Sequence, residues 1–551
     1  MFREHCIVLR LEHALNPCTN NKKGDREDCV AMSHPLYSFP VVCHQILRAL
    51  ARYPSRTAFS WPGGSLSYQG ATDLIGRMQA VFMRLGLEPG TRVALLTANR
   101  AESWCAGTAA QLSRFAITWL HPLGSLEDQL FQLSDSEARV LVIDAAAFRD
   151  RGGELAANAP GVTTVFTLGP ASYGADLLAA LDQAGSATAR NFAEPGDIAT
   201  LNYTGGTTGK SKGALRFHRE YGGFATAILA DFEIPDGARY LTVAPISHVA
   251  GTKVLPTFMR GGTVHLLKGF DPEAVLATIA RERINFTLFV PTMIYVLLDH
   301  PSLGKTDLTS LELVLYGASA MSPSRLTEGI ERIGSVFSQL YGQTECYPVS
   351  VLRKEDHDLR RPELFLSCGF PIAACDVKIM DDEDREVATG EAGEICVRAP
   401  HVMAEYWKRP DITAETLKNG WLHTGDIARK DERGYMYILD RKKDMIVSGG
   451  FNIFPREIED VLTQHADVAM CAVVGVPDDK WGEAVTAVVV PRAGAAPDAN
   501  ELINLVKARK GSAHAPKRIE FVKELPVTAV GKVDKKVLRA RYWEGRGRMV
   551  G

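Results

Sequence analysis

Residues 198–213 read IATLNYTGGTTGKSKG and join an apolar run to a loop rich in glycine, threonine and lysine. The apolar run at residues 198–201 has the pattern of a buried strand. In the loop at residues 203–213, glycines let backbone N–H groups approach an anion, threonine hydroxyls add donors, and lysine adds positive charge. The segment therefore predicts a strand followed by a polyphosphate-binding loop, with a Gly/Thr-rich surface turn as the simpler alternative.

A P-loop is the nearest rival interpretation of the same segment. Gly209, Lys210 and Ser211 match the end of the motif GxxxxGK[ST]. Thr204 stands where the first glycine of that motif belongs, and no apolar strand ends in an obvious second acidic motif. A P-loop phosphotransferase therefore stays open as an alternative that fits only part of its pattern.

Helical and strand-like patterns alternate along the chain outside this loop. Residues 74–85 carry apolar side chains at helical spacing, and residues 92–97 read as a buried strand. This alternation predicts an α/β fold of mainly parallel sheets covered by helices. It continues at residues 139–144, 263–267, 286–290 and 312–315, with a helix after Pro272.

A second, smaller set of elements follows residue 440 and predicts a separate α+β domain. Its pattern is a helix from Pro455, strands at residues 469–474 and 484–490, a helix at 501–509, a strand at 519–522 and a helix from Val533.

The composition is that of an ordinary globular protein. Of the 551 residues, 46% are hydrophobic and 23% are charged, and the formal net charge is −3. This charge offers no basic surplus to neutralise a phosphate backbone, so we expect no nucleic-acid partner. No apolar run approaches the roughly 20 residues of a membrane span, and residues 1–35 lack the apolar core of a signal peptide. We expect a cytoplasmic protein without a transmembrane segment, as a monomer or homodimer. The ten cysteines form no CxxC pair and are expected to be reduced thiols.

The loop at residues 203–213 resembles the signature YTSGTTGxPKG of the adenylate-forming (AMP-binding) superfamily, which includes acyl-CoA synthetases, aryl-acid ligases, firefly luciferase and peptide-synthetase adenylation domains. The resemblance covers roughly residues 35–545, with the motifs in the family's order. It favours the acid–CoA ligase branch that contains fatty-acyl-, 4-coumarate- and feruloyl-CoA ligases. Gly205 replaces the usual serine, which removes a hydroxyl from the loop, and Ser211 replaces the usual proline, which should loosen the backbone.

The resemblance also implies a domain organisation. It adds a β-barrel-like subdomain to the large N-terminal domain and makes the small C-terminal domain mobile. Residues 16–28 are polar and aperiodic, so we predict that residues 1–32 are a disordered extension. We assign residues 33–439 to the N-terminal AMP-binding domain, residues 440–443 to a hinge and residues 444–551 to the C-terminal domain.

Four further motifs carry the resemblance into the site. In YGQTE at residues 341–345, the family's aromatic residue stacks on adenine, its threonine meets the α-phosphate and its glutamate, here Glu345, holds Mg²⁺, a cation that prefers hard oxygen ligands. WLHTGD at residues 421–426 implies that Asp426 binds the ribose hydroxyls, and RKKD at 441–444 implies ribose contact by Arg441 and a hinge at Lys443. In PVTAVGKVDKK at residues 526–536, the catalytic lysine falls at Lys532. The resemblance assigns ATP or AMP binding to Thr204, Gly205, Gly206, Thr207, Thr208, Gly209, Lys212, Gly317, Ala318, Ser319, Tyr341, Gly342, Gln343, Thr344, Glu345, Asp426, Arg441 and Lys532.

The acyl and coenzyme A sites are carried over in the same way. His248, in PISHVAG, takes the family position that lies beside the acyl pocket and can gate it. The residues expected to line this pocket are apolar and include no evident carboxylate to bind the ammonium of an amino acid. Fatty, aryl and arylpropenoic acids therefore remain as candidate substrates. We expect catalysis by Lys532, Glu345, Thr204 and His248, acyl-pocket walls at His248, Val249, Tyr316, Gly317, Gly342 and Cys346, and coenzyme A contacts at Gly449 and Gly450.

The implied reaction is ATP- and Mg²⁺-dependent activation of a carboxylic acid as acyl-AMP, followed by transfer of the acyl group to coenzyme A. Three alternatives stay open at this point. The acceptor could differ, as in amide ligases, carrier-protein loading or luciferase-like chemistry. The chain could be a P-loop phosphotransferase that releases ADP, or a binding protein that keeps the fold without the chemistry.

Overall fold

The computed structural model describes residues 41–204, 211–478, 480–527 and 533–543. The predicted extension at residues 1–32 lies outside these ranges. Within them, the α-helices are α1 (Val42–Arg52), α2 (Tyr68–Met83), α3 (Ala101–Leu112), α4 (Leu126–Asp135), α5 (Arg149–Asn158), α6 (Leu177–Ala184), α7 (His218–Tyr221), α8 (Phe224–Asp231), α9 (Val254–Met259), α10 (Pro272–Arg281), α11 (Pro291–Asp299), α12 (Pro323–Ile333), α13 (Pro410–Thr416), α14 (Pro455–Leu462), α15 (Ala499–Lys510) and α16 (Lys535–Trp543).

The strands of the described ranges follow in chain order. They are β1 (Thr57–Trp61), β2 (Gly64–Ser67), β3 (Arg92–Leu96), β4 (Ala116–Trp119), β5 (Ala138–Ile143), β6 (Thr164–Thr167), β7 (Ala175–Asp176), β8 (Ile198–Thr204), β9 (Lys212–Phe217), β10 (Arg239–Thr242), β11 (Thr263–Leu266), β12 (Phe286–Phe289), β13 (Leu313–Gly317), β14 (Phe337–Gln343), β15 (Cys346–Leu352), β16 (Phe370–Pro371), β17 (Asp376–Met380), β18 (Gly393–Arg398), β19 (Glu405–Tyr406), β20 (Leu417–Lys418), β21 (Trp421–Lys430), β22 (Met436–Arg441), β23 (Ile446–Ser448), β24 (Phe451–Ile453), β25 (Val468–Asp478), β26 (Gly482–Pro491) and β27 (Arg518–Phe521).

Two large sheets carry the N-terminal domain. One has the strand order β16-β15-β14-β13-β12-β10-β11-β1-β2, and the other has the order β19-β9-β8-β4-β3-β5-β6-β7. Parallel pairs form the centre of both sheets, from β1 to β14 through β11, β10, β12 and β13 in the first and from β8 to β7 in the second. One apolar core contains side chains from both sheets and from α1, α2 and α3. The predicted α/β class is therefore confirmed.

Two smaller sheets follow. Strands β17, β18, β21 and β20, with β22 paired to β21, form a five-stranded antiparallel sheet where the sequence predicted a β-barrel-like subdomain. The C-terminal sheet has the order β24-β23-β26-β25, with β27 parallel to β26. The chain leaves the first of these sheets at Arg441 and enters the second at Ile446.

From Pro455 onward the elements follow the predicted order with shifted boundaries, and the short strands β23 and β24 before Pro455 were not predicted. The last helix was expected from Val533, but α16 begins at Lys535. The side chain of Asp534 accepts hydrogen bonds from the backbone N–H groups of Lys536 and Val537, so Asp534 caps the helix and fixes its start. Among the described residues, no helix has the length and apolarity needed to cross a bilayer.

Candidate active site

The phosphate-loop segment joins two antiparallel strands. Thr204, at the end of β8, pairs with Lys212, at the start of β9. A P-loop continues from its lysine into a helix, whereas this chain continues into a strand, so the P-loop interpretation is wrong. The other predicted phosphate residues, Gly205, Gly206, Thr207, Thr208 and Gly209, lie outside the described residues.

Both ends of this loop are hydrogen-bonded to α4. The Tyr203 hydroxyl donates to Asp135 Oδ2 at 2.7 Å, and the Ser211 hydroxyl donates to Asp128 Oδ1 at 2.8 Å. Ser211 is only 5% exposed, so its bond to a carboxylate is shielded from water. The Ser211 hydroxyl therefore makes a contact that the usual proline would lack, and the expectation that this replacement loosens the backbone stays a prediction.

Glu345 lies in the two-residue turn of a hairpin. Gln343 of β14 pairs with Cys346 of β15, which leaves Thr344 and Glu345 as the turn. The carboxylate of Glu345, which is 8% exposed, accepts a hydrogen bond from the Tyr406 hydroxyl. The ammonium of Lys212 lies 4.4 Å from the centre of the Tyr406 ring. Tyr406 therefore links the predicted magnesium ligand to the predicted phosphate-binding lysine.

The predicted ribose residues form a second connected group. Asp426 and Arg441 are partners in the β21–β22 pair, and Arg441 Nε lies 3.1 Å from Asp426 Oδ1. The Tyr341 hydroxyl donates to Asp426 Oδ2 at 2.6 Å. The charge of Asp426 raises the pKa of Arg441, and burial together with that charge raises the pKa of Tyr341. Three motifs that are distant in sequence thus converge on one carboxylate.

The predicted adenine turn lies at the carboxyl end of β13, which is where parallel sheets bind ligands. A side chain at Gly317 would place its Cβ 2.5 Å from the carbonyl oxygen of Leu340, so only glycine fits there. Ala318 has a φ of 68°, in the left-handed region that non-glycine residues rarely occupy. Ala318 and Ser319 line the cleft described below.

Three of the six predicted acyl-pocket walls do not line the cleft. Tyr316 is fully buried, and its hydroxyl lies 2.9 Å from His357 Nε2 inside the core. Cys346 is also fully buried, and its sulfur faces Cys375 and His401. Both side chains point to the core, and the structure does not place Gly317 on the cleft lining either. His248, Val249 and Gly342 do line the cleft.

His248 is held in a polar contact and against a second imidazole. Its Nδ1 lies 2.7 Å from the Ser247 hydroxyl, and its ring centre lies 4.4 Å from that of His121. Burial, and secondarily the neighbouring His121, lowers the pKa of His248 from 6.5 to about 3. His248 is therefore a neutral hydrogen-bonding group at physiological pH.

This lowered pKa predicts a pH dependence of stability. A neutral, partly buried His248 takes up a proton on unfolding, so the unfolded state binds more protons below pH 6.5. The free energy of unfolding should therefore fall as the pH decreases from about 6.5 towards 3. We expect His248→Gln to make this decline shallower, as measured by urea unfolding at pH 7 and pH 5, while His44→Gln, at an exposed site, should not. Equal declines for the wild type and His248→Gln would contradict the assignment.

One continuous cleft of about 1710 Å³ connects these groups to an apolar region. Thr204, Lys212, Glu345 and Asp426 lie along its polar part, with His248 also on its wall. Its apolar lining comes from α1, α3, β4, α8 and α9. These side chains are Val42, Ile46, Trp104, Ile117, Trp119, Phe224 and Leu255.

The C-terminal domain supplies the remaining wall of the cleft. Lys443 lies on the cleft lining, and its carbonyl accepts a hydrogen bond from Arg539 at 3.3 Å. Lys532 lies outside the described residues, but the chain on either side of it is fixed because Val527 forms a bridge with Val533. Val533 itself lines the cleft.

The predicted coenzyme A glycines lie elsewhere. Gly449 and Gly450 form the turn between β23 and β24, with φ angles of 58° and 82°, and they are not on the lining of the cleft. A side chain at Gly449 would place its Cβ 2.9 Å from the Trp481 ring. The same domain therefore presents the segment after Lys532 to the cleft and keeps the glycine turn away from it.

Sequence reasoning missed three residues of the site. Tyr406 contacts Glu345 across 61 positions of the chain, and Arg216 donates to the Thr344 carbonyl across 128. The ring of His121, two residues after β4, packs edge-to-face against that of His248. Neither hydrophobic periodicity nor a local motif signals contacts over such separations, so a single sequence offered no means of finding them.

The residues present fit a magnesium ion bound to polyphosphate. Mg²⁺ takes hard oxygen ligands and is held in nucleotide sites by one or two carboxylates plus phosphate oxygens. The cleft offers the carboxylate of Glu345, with Lys212 close by to meet phosphate charge.

The fold and the cleft together define a nucleotide-dependent ligase with a large α/β domain and a small α+β domain. The family model for AMP-binding enzymes matches residues 46–407. The family model for the AMP-binding enzyme C-terminal domain matches residues 457–532. The chain belongs to the AMP-binding enzyme family.

Several named proteins are similar in sequence to this chain over most of its length. The medium/long-chain-fatty-acid–CoA ligase FadD8 of Mycobacterium tuberculosis is 43% identical over 92% of this chain and 91% of the relative. The feruloyl-CoA synthase of an Amycolatopsis species is 35% identical over 89% of this chain and 96% of the relative. The amide bond synthetase McbA from Marinactinospora thermotolerans has a TM-score of 0.85 and 34% identity, over 91% of this chain and all of that one. The protein is an acid–CoA ligase that uses ATP, Mg²⁺ and coenzyme A.

Proposed function

We propose that the protein activates a medium- or long-chain fatty acid and that the acyl chain lies in the apolar part of the cleft. The observation that carries this proposal is the continuity of the cleft, which joins Glu345 and Asp426 to a lining of aliphatic and aromatic side chains. A strongly polar acyl group would lose its water there without gaining hydrogen bonds. The similarity to a medium/long-chain-fatty-acid–CoA ligase supports the same substrate class.

The first half-reaction needs no protein nucleophile. The substrate carboxylate attacks the α-phosphorus of ATP, forming acyl-AMP and releasing pyrophosphate. Thr204 and Lys212 would bind phosphate, together with Thr207 and Thr208 of the loop, and Asp426 with Arg441 would hold the ribose. Glu345 would hold Mg²⁺, which would neutralise phosphate charge. The protein's contribution is the positioning of the reactants and the stabilisation of charge.

The second half-reaction requires a different orientation of the small domain. The thiol of coenzyme A attacks the acyl carbonyl carbon and displaces AMP. In the present orientation Val533 lines the cleft while Gly449 and Gly450 do not. We propose that residues 444–551 rotate about a hinge at residues 440–443, with Lys443 as the pivot, and bring the glycine turn to the cleft.

His248 has a positioning role in this scheme. A neutral imidazole on the cleft wall can donate a hydrogen bond without adding a charge near the substrate carboxylate. The ring of His121 and the hydroxyl of Ser247 both contact His248 and support its position. We also propose that the protein acts in the cytoplasm as a monomer or homodimer.

The test is a product analysis with a panel of acids. The protein is incubated with Mg-ATP, coenzyme A and saturated fatty acids of increasing length, or with ferulate, and nucleotides and thioesters are followed by mass spectrometry. We expect AMP and acyl-CoA, with the highest rates for medium or long chains. Glu345→Gln serves as the control for contaminating ligases. Turnover of ferulate with no turnover of fatty acids would contradict the proposed substrate.

The competing acceptor is an amine, suggested by the similarity to an amide bond synthetase. The same assay with an added amine in place of coenzyme A distinguishes the two. Amide formation that exceeds thioester formation would favour the amine.

A further inference from the structure

Two thiols and an imidazole lie close together next to the β14–β15 hairpin that carries Glu345. The ligand atoms of Cys346, Cys375 and His401 all lie within 4.8 Å of one another. Cys346 is fully buried, His401 is 1% exposed, and Cys375 is partly exposed. They come from the start of β15, the residue before β17 and the loop after β18, so the fold and not a local motif assembles them.

A backbone oxygen completes the group. The carbonyl oxygen of Pro348 lies 2.7 Å from His401 Nε2 and 3.6 Å from Cys375 Sγ. Cys375 Sγ lies 3.8 Å from His401 Nε2. In a tetrahedral zinc site with Zn–S near 2.3 Å and Zn–N near 2.0 Å, neighbouring ligand atoms are roughly 3.3 to 3.8 Å apart. The 3.8 Å between Cys375 Sγ and His401 Nε2 and the 3.6 Å between Cys375 Sγ and the carbonyl oxygen lie in this range, whereas the 2.7 Å between Nε2 and that oxygen is a hydrogen-bond distance that has to lengthen when an ion binds.

Only one of the two ring nitrogens of His401 has a hydrogen-bond partner among the described residues. Nε2 is in hydrogen-bonding distance of the Pro348 carbonyl, while Nδ1 of His401 is buried without a hydrogen-bond partner among the residues that the structure describes. The ring is therefore held by polar contacts at Nε2, the nitrogen that lies closest to the Cys375 sulfur and the Pro348 carbonyl. The ring also lies on the cleft lining, which gives an ion a path from solvent.

We propose that Cys346, Cys375 and His401, with the Pro348 carbonyl oxygen, form a binding site for a thiophilic divalent cation such as Zn²⁺. Each cysteine binds as a thiolate and gives up to solvent whatever proton it holds, and His401 binds through Nε2 with its proton moved to Nδ1. Two sulfurs and one nitrogen select a soft or borderline ion, whereas the oxygen ligands at Glu345 suit Mg²⁺. The two sites therefore bind different ions.

The site is coupled to the catalytic hairpin through the backbone. Cys346 directly follows Glu345, and the N–H of Met403, two residues after His401, donates to the Glu345 carbonyl at 2.7 Å. A cation that joins Cys346 to His401 would clamp both segments around the turn that holds Glu345. This consequence rests on the proposed role of Glu345, whereas the binding of the ion does not.

Cobalt substitution tests the proposal without reference to activity. The full chain is reduced, treated with a chelator, freed of it and titrated with Co²⁺ under nitrogen. We expect one equivalent of Co²⁺ to produce a thiolate-to-cobalt charge-transfer band and intense tetrahedral d–d bands, which Zn²⁺ then abolishes. Cys375→Ser and His401→Asn should weaken binding at least tenfold, and Zn²⁺ should raise the unfolding midpoint of the wild type but not of Cys375→Ser.

A second thiol–imidazole contact provides the matched control. Cys396 Sγ lies 3.5 Å from His423 Nδ1, and Cys396→Ser should leave the cobalt spectrum unchanged. Circular dichroism checks that each variant is folded. The absence of a charge-transfer band in the wild type, or a Co²⁺ titration of Cys375→Ser that matches the wild type, would overturn the proposal, and neither result depends on whether the protein is an active ligase.

Discussion

Lys532→Ala is expected to abolish adenylation while leaving thioester formation from supplied acyl-AMP largely intact. Charge develops between the carboxylate and the α-phosphate only in the first half-reaction, so an ammonium placed there stabilises only that transition state. Loss of such a group lowers the rate on the order of 10²- to 10³-fold. The two half-reactions are measured separately, by pyrophosphate release and by acyl-CoA formation from synthetic acyl-AMP.

The position of the flanking chain supports this expectation. Val527 and Val533 hold the two ends of the segment together, and Val533 lies on the cleft lining. The matched control is Lys523→Ala, an exposed lysine a few residues earlier, which should change neither half-reaction. Equal losses in both half-reactions of Lys532→Ala would refute the assigned role.

Glu345→Gln is expected to lower the adenylation rate on the order of 10²-fold at moderate Mg²⁺ and to shift the Mg²⁺ dependence to higher concentrations. The amide keeps the size of the side chain and can still accept a hydrogen bond from Tyr406, but it removes the negative charge that suits a hard cation. Pyrophosphate release is measured as a function of Mg²⁺ at fixed ATP.

Glu405→Gln is the control for Glu345→Gln, because Glu405 is exposed and adjacent to Tyr406. It should leave the Mg²⁺ dependence unchanged. A Glu345→Gln enzyme with a wild-type Mg²⁺ curve would show that this carboxylate does not hold the ion.

The sequence predicted the layout of the fold well because hydrophobic periodicity is a local property. The runs at residues 92–97 and 139–144 became β3 and β5, and the loop at residues 203–213 does follow a strand. Glu345, Asp426 and Arg441, which the motifs assign to one site, line one cleft.

The sequence could not predict which way individual side chains point. Alternate residues of a strand face opposite sides, so a wall assignment fails when the register relative to the cleft is unknown. This is why Tyr316 and Cys346, both predicted to line the acyl pocket, are buried in the core. The hydrogen bond between Ser211 and Asp128 was missed for a different reason: it joins positions 83 residues apart, and no local pattern signals such a contact.

The route through acyl-AMP is tested most directly by isotope transfer. The acid is supplied with ¹⁸O in both carboxylate oxygens, together with Mg-ATP and coenzyme A, and the products are analysed by mass spectrometry. Attack of the carboxylate on the α-phosphorus leaves one of its oxygens on AMP after the thiol displaces it, so the account predicts AMP with one ¹⁸O and acyl-CoA with the other. Label in inorganic phosphate together with ADP as the product, or AMP without label, would contradict it.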